Sequence, residues 1–232
     1  VRDSDYSFLG DFSGSGLLRK DGAGTLTFAG LYAFEGTTSL LGGQIAFTGG
    51  LAEDTELDLQ EGTIDLSGLE GGEQTIAGLS GEGGALQLGN TALLIQQSGD
   101  SVFSGSIAGT GELIKDGEGG LKLDGDGTGF TGTGRVDGGT LSVNGDYSNA
   151  SFIVNEGGTL GGAGTIGETS VNGGTLAPGN SIDTLTVNGN VTLTGKSVFE
   201  VEVDAGGNAD LLQVTGTATL GAAAVNVIAE SG

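Results

Sequence analysis

Apolar and polar residues alternate over short stretches along the whole chain, as in Leu26-Thr27-Phe28, Leu57-Asp58-Leu59, Leu86-Gln87-Leu88, Leu121-Lys122-Leu123, Leu141-Ser142-Val143, Leu185-Thr186-Val187 and Val225-Asn226-Val227. A period of two places successive side chains on opposite faces of a strand, so each stretch predicts a β-strand with one buried face. Gly-Gly, Asn-Gly and Asp-Gly pairs lie between them and supply the positive φ that tight turns demand. No segment carries a 3.6-residue apolar period with helix caps, and the chain reads as all-β.

Strands of roughly three to five residues bury little each, so the architecture has to come from how they repeat. The segment Phe12–Gly30 returns as Ile107–Gly125, with Lys20-Asp21-Gly22 matched by Lys115-Asp116-Gly117. After one inserted residue Phe34-Glu35-Gly36 matches Phe130-Thr131-Gly132, and Gly42–Phe47 matches Gly138–Val143, so a unit of about forty residues recurs. A finer motif, Gly-Gly-Thr-Leu, begins at Gly138, Gly157 and Gly173, and Val-Asn recurs at Val143, Val154, Val171 and Val187. Such spacing is what one turn of a β-solenoid leaves in sequence, because each turn stacks on the last and buries the same inward positions. At ~20 residues per turn and ~4.8 Å between stacked strands, the chain predicts about eleven turns in a rod of ~50 Å.

Composition narrows the classes of function. The chain of 232 residues holds 51 Gly, one Pro and no Cys, His, Met or Trp. Low-complexity disorder is set aside because 36% of the residues are apolar and fall at regular places. Thirty Asp and Glu stand against seven Lys and Arg, a formal charge of −23, and no Lys or Arg lies between Lys20 and Lys115. That balance excludes nucleic acid as a partner and disfavours an anionic membrane surface. It also keeps stacked strands from sticking to one another. Without Cys there is no disulfide framework. Val1 opens no signal peptide and no long apolar run occurs, so the chain reads as a soluble piece of a larger precursor.

The C-terminal third differs, with the lone Pro in Ala177–Ile182 and a longer alternating run over Val198–Val203. The register puts Phe199, Val201 and Val203 inward and Glu200 and Glu202 outward, which predicts a capping hairpin near that end. Two parts follow: 1–145 as a solenoid stalk with two copies of the forty-residue unit, and 146–232 as the last turns and cap.

The unit Leu113–Gly125 with Phe130–Gly132 and Gly138–Gly145 resembles the β-strand repeat associated with bacterial autotransporters, proteins of type V secretion. Gly157–Gly167, Gly173–Ile182, Leu185–Gly189 and Asp210–Leu220 resemble the C-terminal part of an autotransporter passenger domain. The resemblance covers nearly the whole chain and implies a right-handed parallel β-helix exported through the outer membrane with the help of its own C-terminal β-barrel translocator, a domain absent from this sequence. It further implies that the last passenger segment is an autochaperone-like folding seed. The Trp-bearing aromatic cap of some family members has no counterpart here.

Candidate chemistry is sparse. Glu200 with Glu202, or Asp58 with Asp65, are conceivable acid and base pairs, but a strand's outward face carries such residues by default. No His is present to complete a triad, and the chain is expected not to be an enzyme. The loop from Asp124 to Gly129 offers oxygen ligands, so Asp124 and Asp126 are weak calcium candidates, yet Arg135 stands where an EF-hand places its bidentate Glu, and no metal or cofactor is expected. The acidic group Glu53, Asp54, Glu56, Asp58, Glu61, Asp65, Glu70 and Glu73 reads as a solvated face. Lys20-Asp21-Gly22 and Lys115-Asp116-Gly117 read as structural turns, and Asn144, Asn155, Asn172 and Asn188 as a stacked polar ladder. The function expected is a surface-exposed or secreted structural segment, stalk and folding seed in one. The alternative is an adhesin or self-association module that binds host or neighbouring bacterial surfaces directly.

Overall fold

The computed structural model describes residues 3–69 and 72–229, and among them there is no helix. Short strands stack in parallel into a β-solenoid of about 10 turns, grouped in sheets of nine, eight, seven and four strands. An isolated parallel bridge between Gly81 and Phe103 carries one face of the nine-stranded sheet into the seven-stranded one.

Register explains the recurring Gly-Gly-Thr-Leu. Leu121, Leu141, Leu160 and Leu176 are consecutive partners on stacked strands, and each is almost fully buried. The column continues into Phe199 and then Val225. Thr140, Thr159 and Thr175, one residue earlier, stack on the outer face. Each inward Leu contributes about 1.5–3 kcal/mol of burial only because the turns above and below cover it. Cover runs out towards the C-terminus, where Phe199 is part-buried against the core and Val225 is 59% exposed. Turn length changes there too. Tyr6 partners Leu26 and Ala92 partners Glu112, near the expected length, whereas Val198 partners Ala224 and Val191 partners Ala218, a longer circuit.

The first turns are filled differently. Phe12, Phe28, Tyr32, Phe34 and Phe47 meet with ring centroids 4.6–6.0 Å apart, and Phe8 packs against Phe12 at 5.5 Å. The strands there are long, Phe12–Lys20 in nine residues and Leu31–Phe47 in seventeen. In the second copy of the sequence unit the chain matching Phe12–Lys20 is instead divided between the strands Ser106–Gly109 and Glu112–Asp116.

The C-terminal hairpin needs correction. Val198–Val203 is an ordinary turn strand with parallel partners on both sides, Thr175–Pro178 and Ala224–Ala229. The chain does reverse after it, with one antiparallel bridge between Val203 and Ala209. The strand Ala224–Ala229 nevertheless lies beyond it, so Val198–Val203 does not cap the stack. The inward and outward faces of its first half follow the alternation: Phe199 packs on the core, and Glu200 accepts a hydrogen bond from Asn226 at 2.8 Å on the outside.

Candidate functional site

Lys115 sits at an inward position, between Ile95 and Val136 in the stack, and is fully buried. Its Nζ donates to the carbonyl oxygens of Asp116 at 2.7 Å and Gly117 at 3.0 Å in its own turn, and to Gly138 at 3.3 Å in the next. Lys20, only 6% exposed, repeats the arrangement with Asp21 at 3.4 Å, Gly22 at 2.6 Å and Gly42 at 3.1 Å. The glycines needed for these bends also correspond: Gly22 and Gly117 have φ of 90° and 82°, Gly43 and Gly139 of 70° and 61°. A buried ammonium is tolerated when several acceptors surround it. Burial pulls the Lys115 ammonium below its ordinary pKa, with the charges of Asp116 and then Asp100 acting the other way. Neither Nζ is placed to read a ligand, because both are turned into the main chain. Gln97 plays a related part, its Nε2 donating to Gly99 at 2.7 Å and to Gly120 of the next turn at 2.7 Å.

Asp124, Asp126, Asp58 and Asp65 are each held locally. Asp124 Oδ1 accepts Asn144 Nδ2 at 2.6 Å. Asp126 Oδ1 accepts the Thr128 amide at 2.8 Å, and hydrogen bonds from the Thr128 backbone and then its side chain hold that carboxyl below the usual range. The Tyr147 ring packs against Gly127 in the same loop, where any Cβ would overlap it. Burial, and next the Asp126 charge, push the Tyr147 phenol well above its ordinary pKa. No group of three or more His, Cys, Asp or Glu able to hold a metal is assembled among the described residues. Asp58 accepts from Ser39 at 2.9 Å and Gln60 at 2.6 Å, and Asp65 from Gln44 at 3.1 Å and the Ser67 hydroxyl at 2.6 Å. Glu56 accepts from Thr37 at 2.8 Å. Glu70 lies outside the described residues.

Arg135 does not face the Asp124–Gly129 loop as a calcium ligand position would. Its guanidinium meets Asp137 at 2.9 Å, Glu112 at 3.2 Å and Glu73 at 4.0 Å on the outside of the eight-stranded sheet. Ile114, its register partner, points outward and is still fully buried. With Lys20 and Lys115 inside and Arg135 engaged by three carboxylates, the outer surface is more uniformly anionic than the sequence total implies.

The expected asparagine ladder is corrected: the four residues do not share one line. Asn155 and Asn172 are register partners, and Asn155 donates to Asp137 at 2.7 Å. Asn188 accepts from Thr215 at 3.5 Å elsewhere. Asn144 belongs to a third line, donating to Asp124 and accepting from the Ala163 amide at 3.1 Å and from Asn180 Nδ2 at 2.7 Å. Asn180 was not singled out by sequence reasoning. The one signal near it is the lone Pro178, which marks a bend without saying what the bend reaches.

No family model matches the chain, and no solved structure matches it significantly. Among curated proteins, a stretch of 69 residues is 42% identical to the adhesin BmaC autotransporter of Brucella suis biovar 1, covering 29% of this chain and 2% of that protein. The chain therefore spans a very small part of the relative it matches. Part of the chain is similar to part of an autotransporter adhesin, and the parallel solenoid fits an autotransporter passenger.

Proposed function

We infer that this chain is a non-catalytic stalk segment of an autotransporter passenger, exposed on or released from a bacterial surface, whose C-terminal turns are the seed on which the remainder folds. The observation that carries this reading is the continuous parallel stack in which each turn supplies the surface the next one covers, in a chain part of which is similar to an autotransporter adhesin. A stack of this kind gains stability turn by turn. If the C-terminal end leaves the membrane first, order there provides a template for each following turn and biases the chain outward. The partner in that process is the protein's own β-barrel translocator.

The test compares refolding of the full chain with that of a version ending at Gly145, followed by circular dichroism after dilution from denaturant. Slow or absent folding of the shortened chain, with independent folding of 146–232, supports the seed. Equal folding rates remove it and leave the tail as further stalk.

A second reading is direct adhesion or self-association, favoured by the word adhesin in the name of the Brucella protein. Binding of the purified chain to host or bacterial cell surfaces, lost when the outer face is altered and retained when the fold is left intact, would support it over the stalk.

A further inference from the structure

Asn180 reaches past its neighbouring turn. Its Oδ1 accepts the Ser142 hydroxyl at 2.7 Å and its Nδ2 donates to Asn144 Oδ1 at 2.7 Å, 38 and 36 residues back along the chain. Bonds such as Thr133–Ser151, Asn155–Asp137 and Thr217–Asn190 join successive turns and span 18 to 27 residues. Ser142 is stacked on Gly161, and Gly161 on Ala177. Gly161 brings no side chain to this line, where a Cβ would collide with the Ala177 carbonyl oxygen, and the Asn180 hydrogen bonds reach past it to the turn of Ser142.

Both ends of this crossing are tied down. Gly179 and Gly162 exchange backbone hydrogen bonds at 2.9 and 3.2 Å as an antiparallel bridge. Gly179 also packs so closely on the Asp210 carboxylate that a Cβ would overlap Oδ1. That carboxylate accepts the Asp183 amide at 3.1 Å and the Glu202 amide at 2.8 Å. At the far end Asn144 passes the line on to Asp124. A polar path thus runs from Asp124 through Asn144 and Asn180 to the bend that Asp210 holds, and it crosses the division between 1–145 and 146–232.

We propose that residues 178–183 form a clasp that couples opening of the turn carrying Ser142 and Asn144 to the turns that follow it, so that these parts of the solenoid open together. In a solenoid held by nearest-neighbour contacts alone, turns open one at a time from an end. A bond that skips a turn makes it costlier for the turn between to open without its neighbours on both sides. The side-chain bonds involved are exposed, so each contributes modestly to total stability, and the clasp acts on how many turns move at once. The proposal deepens the seed reading and rests on it for one point, that order entering at the C-terminal turns is handed across the division.

The experiment is native-state amide hydrogen exchange on the full chain, read by peptide, for the parent, Asn180→Ala, Ser142→Ala and the double variant. The clasp predicts that Asn180→Ala speeds exchange about 5-fold or more both at 175–187 and at 139–147, that Ser142→Ala acts at the same two places, and that the double variant adds little to either single one. Faster exchange confined to 175–187, with 139–147 unchanged, overturns the clasp. The seed is read separately, by the folding rate of the chain ending at Gly145. Coupled exchange with an unaffected folding rate keeps the clasp without the seed. Local exchange with slowed folding keeps the seed and removes the clasp.

Discussion

Lys115 and Gly139 approach the same point from two successive turns of the solenoid. A Cβ added to Gly139 would lie 2.9 Å from Lys115 Nζ and would overlap the carbonyl oxygens of Gly117 and Gly119. In the earlier copy of the unit, a Cβ on Gly43 would lie 2.8 Å from Lys20 Nζ and overlap the Gly22 oxygen. The ammonium takes the place that a side chain on the glycine would need, which ties the Lys and Gly of the recurring unit into one requirement.

Adjacent glycines should therefore respond very differently to the same change. Gly42→Ala meets nothing closer than 3.6 Å, whereas Gly43→Ala needs φ of 70° and collides with backbone. Denaturant titration is expected to find Gly42→Ala within about 0.5 kcal/mol of the parent and Gly43→Ala destabilised by about 2 kcal/mol or more. Equal losses would show that the Gly43 bend relaxes easily.

Lys115→Met keeps the length of the side chain and removes the donor to three main-chain oxygens. A loss of about 2–3 kcal/mol in unfolding free energy is expected. The sign of the pH effect follows from the lowered pKa of Lys115. In the alkaline range between that lowered pKa and 10.5 the unfolded chain binds more protons, so this residue makes stability rise with pH and lose that gain as pH falls through the folded value. Lys115→Met should abolish that slope.

Tyr32 acts oppositely at higher pH. Burial raises its pKa from 10.0 to about 12, against the lowering effect of its 2.6 Å bond with Thr38. Stability from the neutral phenol is complete below pH 10 and is lost as pH rises towards 12. Ultraviolet titration should show Tyr32 and Tyr147 held back until the fold opens. Tyr32→Phe should extend the alkaline limit of the folded state.

Leu160→Ala removes the middle of the buried leucine column, between Leu141 and Leu176. An expected loss of about 2–5 kcal/mol, measured by denaturant titration, reflects transfer plus an unfilled cavity. Val225→Ala, at the exposed end of the same column, should cost well under 1 kcal/mol. Similar costs at both positions would contradict the idea that cover from adjacent turns sets the value of each inward residue.

The leucine column was legible because Leu141, Leu160 and Leu176 share a motif that recurs at turn-sized intervals, and stacking turns that share inward positions is the direct reading of such a pattern. The all-β parallel architecture followed from the same regularity. Lys115 was harder to place. Alternation after Leu113 puts it inward, but a charge in an apolar column contradicts binary patterning, and only the converging carbonyls of two turns resolve the conflict. Asn144, Asn155, Asn172 and Asn188 share a dipeptide context yet fall on different lines, because turn length varies and a recurring dipeptide need not occupy the same corner of each turn. Asn180 was illegible for a related reason: its partners lie two turns back, beyond the nearest-neighbour logic by which a repeat is read.

The inward-turned lysines also bear on how many such rods can stand close together. With two of seven cations sealed inside and a third, Arg135, neutralised by three carboxylates, side-by-side approach is opposed once the rods come within about one Debye length, ~8 Å at physiological ionic strength. A crowded layer of these rods would behave as a polyelectrolyte brush, upright and hydrated in dilute salt and compressible in concentrated salt.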